Sequence, residues 1–368
     1  MRIDRRTLML SALAAPGLPA LARAQDDQAP PTEQLVDEDP PWILLAGEGS
    51  GPLGRWGHSL IMDSWNGRVL AIGGRDDKGT VRGDLWTFDP PSYTWSDLDL
   101  SGPKARSGSA TATAPDGSGF WYFGGESDET VWDDLWWFGF ASASWHLLEP
   151  TGAGPSKRFG TRGAIDAAGR FVVSHGGNGD ELFDDTWAYD PSANTWTDIS
   201  PDAAFRPMAR SDHAMVSLPD YGLILLFGGC SGGIGPCPQG DLWAFDTYGG
   251  TWSDITPYSG PSPRTGTAMA RSGSTILLVG GLSELGPESD VWSGVFDGGT
   301  VAWIEHTLVN HGPMGIYRRS LHDMTVSGDE FFVFAGKGVE GALSDLWQFS
   351  LQRLDESEHT LEPGDQVE

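Results

Sequence analysis

Six arginines recur at nearly even spacing in a chain that is otherwise strongly acidic: Arg55, Arg106, Arg158, Arg210, Arg264 and Arg319. A guanidinium presents a planar fork of donors that matches a carboxylate two bonds at a time. Gathered at one mouth of a channel, the six would bind an anion such as an acidic peptide or an anionic saccharide. The competing use is structural. Asp76, Asp77, Glu126, Asp128, Glu129, Asp180, Glu181, Glu284, Glu288 and Glu340 fall in loops expected on the same face and could neutralise the ring. Trp56 and Phe159 each follow such an arginine. They are candidates for aromatic platforms or, by strand alternation, for packing between blades.

Other chemistry-bearing residues carry less. Aspartates recur at Asp84, Asp134, Asp185, Asp241, Asp290 and Asp345, each two residues before a tryptophan. A residue present once per repeat serves the repeat, here by satisfying backbone amides at a turn, rather than catalysing. His58, His213 and His322 also hold one repeat position, three residues after an arginine, and His146, His175, His306 and His311 show no ligand spacing. The acidic stretch NGDELFDD, residues 178–185, lacks the spacing and closing glutamate of the known calcium loop. No catalytic residue, metal site or cofactor is expected, and no nucleophile, phosphate-loop or zinc-protease motif occurs.

The elements that position these residues follow from a period of about 50 residues. Apolar runs end at Gly73-Gly74, Gly124-Gly125, Gly176-Gly177, Gly228-Gly229 and Gly280-Gly281, with Ala335-Gly336 as a degraded sixth. Trp86, Trp136, Trp187, Trp243, Trp292 and Trp347 follow the recurrent aspartates, and Trp95, Trp145, Trp196, Trp252 and Trp303 close units one to five. Each unit reads as four short strands separated by turn residues, with no helical periodicity. Four strands per repeat at this period predict an all-β, six-bladed propeller over residues 42–351. The sixth unit has no closing tryptophan, whereas PPWILLAGEGSGPLGRWGH near the start matches the passage from closing tryptophan to next arginine. Trp42 therefore opens the strand that completes the last blade, and 12 of the 17 tryptophans occupy repeat positions.

This pattern of arginine, glycine pair, Asp-hydrophobic-Trp and closing tryptophan resembles the Kelch-repeat propellers. The resemblance implies a binding module, since arginines matching the six here bind acidic peptides in Kelch adaptors. Two enzyme classes share the fold and stand as alternatives. Sialic acid mutarotases are similar exported propellers, but carry a long inserted loop absent here. Galactose oxidases need a cysteine free to crosslink to tyrosine.

The first residues combine Arg2, Arg5 and Arg6 with an apolar run and Ala22-Arg23-Ala24. Residues 1–24 read as an export signal, which the Arg5-Arg6 pair likens to the twin-arginine type. Export implies a periplasmic or secreted protein. Cys230 and Cys237, in a Gly/Pro-rich loop, are then expected to form a local disulfide contributing on the order of 2–3 kcal/mol. Residues 25–41 read as an acidic, Pro-rich linker and 352–368 as an acidic disordered tail. The whole chain carries a net charge of −28, and removal of residues 1–24 leaves about −31. Such a surface excludes nucleic acid and anionic membranes. No membrane insertion is expected, and the protein is read as a monomer.

Overall fold

In the computed structural model the described residues are 41–353, apart from 234 and 307–315. The expected signal, the linker before Pro41, the tail beyond Arg353 and His311 lie outside them. Six four-stranded antiparallel sheets form the blades of a propeller. Blade one shows the local logic. Its strands span Ser59–Asp63, Arg68–Ile72, Leu85–Asp89 and Thr94–Asp97. The apolar run Val69–Ile72 is buried throughout, as befits the second strand of a blade covered on both faces. It stops at Gly73 and Gly74, with φ of 71° and 93°. A β-carbon on Gly74 would lie 2.9 Å from the Trp56 carbonyl oxygen and from His58 Cβ, so only glycine fits.

The last blade is completed as the sequence implies. Its sheet runs Asp323–Ser327, Glu330–Lys337, Ala342–Ser350 and finally Trp42–Ala46 from the other end of the chain. Trp42 pairs with Phe349 and Leu44 with Trp347. The N-terminal strand thus closes the ring and covers what would be an exposed edge.

The core is distributed. Six buried hydrophobic clusters each join two adjacent blades. The cluster of Leu45, Leu60, Val69, Phe88, Phe334 and Leu346 joins blade six to blade one. There the closing Trp95 lies 4.9 Å from Phe334, ring to ring. Such a pair adds about 0.5–1.5 kcal/mol beyond the area buried.

One glycine pair is re-registered by the structure. In blade three the functional pair is His175-Gly176, not Gly176-Gly177. His175 takes the first position with φ 59°, and the Gly176 amide donates to the Arg210 carbonyl. The equivalent inter-blade bonds run from Gly74, Gly125, Gly229 and Gly281 to Arg106, Arg158, Arg264 and Arg319. Burial lowers the His175 pKa to about 3, with the Arg210 charge acting in the same direction, so the ring is neutral.

A second set of backbone bonds encircles the channel. The residues two after each arginine, Gly57, Gly108, Gly160, Asp212, Gly266 and Leu321, all have positive φ. Each amide donates to the carbonyl of the equivalent residue in the preceding blade at 2.7–2.9 Å, and Gly57 donates to Leu321, closing a ring of six bonds.

Candidate functional site

The six arginines are placed by the loops that enter the innermost strands, at the end of the channel where those strands begin. Their side chains are 0–1% exposed. Each guanidinium is spent inside its own blade. In blade one, Arg55 Nε donates to the Leu53 carbonyl, Nη1 to the Gly73 carbonyl at 2.9 Å and to Asp84 Oδ1 at 2.8 Å, and Nη2 to Asp84 Oδ2 at 2.9 Å. Trp86 Nε1 donates to the same Asp84 Oδ2 at 2.8 Å.

This arrangement repeats with Arg106 on Asp134, Arg158 on Asp185, Arg210 on Asp241, Arg264 on Asp290 and Arg319 on Asp345. Trp136, Trp187, Trp243, Trp292 and Trp347 cap the carboxylates in turn. Burial pushes the carboxyls of Asp84, Asp185 and Asp241 up, but the arginine hydrogen bonds and charge outweigh it and hold all three below the usual range.

Two expectations are corrected here. Arg55, Arg106, Arg158, Arg210, Arg264 and Arg319 do not form a ligand-binding mouth, because their forks already hold a carboxylate and the strand-end carbonyls. The recurrent aspartates do not cap turns; they are the partners of these arginines. Nor do the loop carboxylates neutralise the ring. Asp76 pairs with Arg82, Glu126 and Asp128 with Arg75, and Asp77 accepts the Ala342 amide at 2.5 Å. The sequence signal for the true partner was present: aspartate and arginine recur with the same period, one pair per blade.

The remaining candidates resolve individually. Trp56 is half-buried beneath the Lys337 ammonium, 5.2 Å from its ring, and Phe159 is also half-buried. His58, His213 and His322 are buried, and burial with nearby arginine charge lowers their pKa well below the ordinary value. In the acidic loop Asp184 pairs with Arg206 and Asp185 with Arg158, leaving Asn178 to accept the Asp180 and Glu181 amides. Among the described residues no group of three or more His, Cys, Asp or Glu side chains could hold a metal ion. Cys230 and Cys237 form a disulfide with an S–S distance of 2.03 Å. Neither is free for a thioether link to tyrosine, which removes the galactose-oxidase alternative.

The free surface lies elsewhere. On the face bearing the second-to-third strand hairpins, blades five and six keep strand pairing closer to the hairpin tips than the other blades, with strands Thr275–Ser283, Gly286–Phe296, Glu330–Lys337 and Ala342–Ser350. Leu285 and Val339 at their tips are 91% and 77% exposed, and Tyr317, which shares a groove with Val339, is also exposed. Against Val339 lies a groove of about 680 Å³ lined by Leu44, Tyr317, Val339 and Leu343, with Glu48, Glu340 and Arg318 also on its wall. Sequence reading missed it because the tips sit where the repeat varies.

These features define a Kelch-type propeller, and comparison with known proteins agrees. The family model of the KLHDC2/KLHL20/DRC7 Kelch-repeats domain matches residues 37–229 and 200–361, so the chain belongs to the Kelch-repeat family. The human Kelch domain-containing protein 3 is 27% identical over 265 residues, covering 65% of this chain and 65% of its own length. Acyl-CoA-binding domain-containing proteins 4 and 5 of Arabidopsis thaliana are each 28% identical over 196 residues, 52% of this chain. The match spans only 29% and 30% of their lengths. Among the described residues no helix is long and apolar enough to cross a membrane.

Proposed function

We propose that this protein is an exported interaction module whose partner is a protein segment combining apolar and basic residues. The observation that carries the reading is the groove at Tyr317, Val339 and Leu343. Exposed apolar side chains grouped at a groove mark an interaction surface. The groove wall carries Glu48 and Glu340 against the single Arg318, and this balance with the chain's net charge of −28 favours a basic neighbour on the partner over the acidic peptide that free arginines would have selected. Export is supported by the Arg5-Arg6 signal pattern and by a disulfide in a chain with two cysteines.

Random peptides displayed on phage and selected on the immobilised protein test the partner chemistry. Peptides joining a large apolar residue to Lys or Arg should be enriched, and a variant carrying Tyr317→Ala and Val339→Asp should lose them while melting at the parent temperature. Enrichment of acidic peptides, or retention of the selected peptides by the variant, would overturn the assignment. For export, the protein recovered from the producing cell's periplasm or medium should begin near Gln25; recovery of full-length chain from the cytoplasm alone would refute it.

A further inference from the structure

The repeat is broken in blade two at three positions, and the breaks meet beside one cleft. The second strand of this blade is Gly119–Phe123 and the third is Leu135–Gly139. Trp121 stands where the other blades carry Leu70, Val172, Leu225, Leu277 or Phe332, and Trp137 where they carry Thr87, Ala188, Ala244, Ser293 or Gln348. The two are cross-strand partners with ring centroids 5.0 Å apart. Gly119 is the third departure, at a position held elsewhere by Arg68, Arg170, Leu223, Thr275 or Glu330. A β-carbon on Gly119 would lie 2.5 Å from the Trp137 ring, so its absence lets that ring lie against the strand. For the fold alone the exchange gains little: a glycine weakens a strand, and the overlying ring only repairs the loss.

Beside the two rings lies a cleft of about 480 Å³ between blades two and three, a volume within the range of small-molecule sites. Exposed Pro115, Asp116 and Pro191 form its rim, from turns on the face opposite the arginines, and Ser118, Leu148 and Tyr189 complete its wall.

Its polar groups are still open to a ligand. A buried tryptophan N–H usually finds a partner, and the six that follow the recurrent aspartates do so. Trp121 is only 5% exposed. Yet neither its ring N–H nor that of Trp137 donates to any described residue, and neither is sealed from solvent. Asp116 Oδ1 accepts the amide and the hydroxyl of Ser118, leaving Oδ2 open at the rim. The cleft therefore joins an apolar platform to two donors and an acceptor.

That combination selects among ligands. A cage for an organic cation needs ring faces on several sides. Here Trp121 is stacked on Phe171 at 15° and flanked by Trp137 and Tyr189, so the half-buried Trp137 is the available platform. Prolines of a Pro-rich segment could use the platform but carry no N–H for Asp116. A pyranose matches every group: its C–H face covers an aromatic ring, while its hydroxyls donate to a carboxylate and accept from an indole N–H.

We propose that this cleft binds a pyranose unit of a neutral saccharide. The Asp116 carboxylate at the rim and the chain's net charge of −28 disfavour an anionic sugar.

Calorimetric titration of the intact protein with cellobiose, maltose, lactose and mannobiose tests this, with glucuronate, choline and tetraproline as probes of the competing chemistries. At least one disaccharide should bind saturably, and the other three probes should not. Trp137→Ala should weaken that disaccharide about tenfold, the upper end of what an aromatic contact contributes. Because Trp137 also covers Gly119, Asp116→Asn gives an independent check. It keeps an acceptor for Ser118, should melt at the parent temperature, and should weaken binding about fivefold through loss of a charge-assisted hydrogen bond. Binding of none of the four disaccharides, tighter binding of glucuronate, choline or tetraproline, or undiminished disaccharide binding in Asp116→Asn and Trp137→Ala would overturn the proposal.

Discussion

Removing residues up to and including Ala46 should abolish cooperative folding, whereas removing residues up to Glu38 should leave the melting temperature unchanged. The strand Trp42–Ala46 is the outermost strand of blade six and is paired along Ala342–Ser350. It also supplies Trp42 to one inter-blade cluster and Leu45 and Ala46 to the next. Losing it exposes the edge of blade six and opens two neighbouring clusters together. Full burial of each large apolar side chain is worth about 1.5–3 kcal/mol, so the loss is comparable with the 5–15 kcal/mol net stability of ordinary domains. Thermal melts of the two truncations decide it. Equal melting temperatures would refute the role of this strand.

Replacing Arg319 with alanine should destabilise the protein by about 3–5 kcal/mol, the range for breaking a buried pair by removing one partner. Arg319 is fully buried, and the side chain of its partner Asp345 is 3% exposed. The change would strand that carboxylate together with the carbonyls of Tyr317 and Ala335, which Arg319 now satisfies. A fall of roughly 10 °C in melting temperature corresponds to this loss for a large domain. A ring of mutually repelling, ligand-seeking arginines would behave in the opposite way, gaining stability when one was removed. Urea unfolding of the parent and the variant gives the sign directly.

Most of the fold could be read from recurrence. Arginine, glycine pair, aspartate and two tryptophans returning together fix the blades, and the absent closing tryptophan after Trp347 pointed to Trp42. Recurrence misleads where chemistry mimics it: Gly177 follows Gly176 and imitates the pair, although His175 occupies the positive-φ position, as Ala335 does in blade six. The role of the arginines was misread because a sequence shows which residues share a period, not which face one another through a blade. Their true partners, the recurrent aspartates, were assigned to turns. The Arg162–Asp323 pair across the channel is hidden for the converse reason: both residues stand where the pattern breaks, and only the closure of six blades brings these residues, separated by 161 positions, within 3.4 Å.

The measurement bearing most directly on the central claim, that the arginine–aspartate pairs hold the blades rather than bind ligand, is a double-mutant cycle on Arg319 and Asp345. Stabilities of the parent, Arg319→Ala, Asp345→Ala and the double variant give the coupling between the two side chains. The account predicts that each single change is strongly destabilising. The double variant should cost much less than their sum, with a coupling of about 2 kcal/mol or more, because removing both charges leaves neither one buried alone. Additive effects, or an Arg319→Ala protein as stable as the parent, would contradict it.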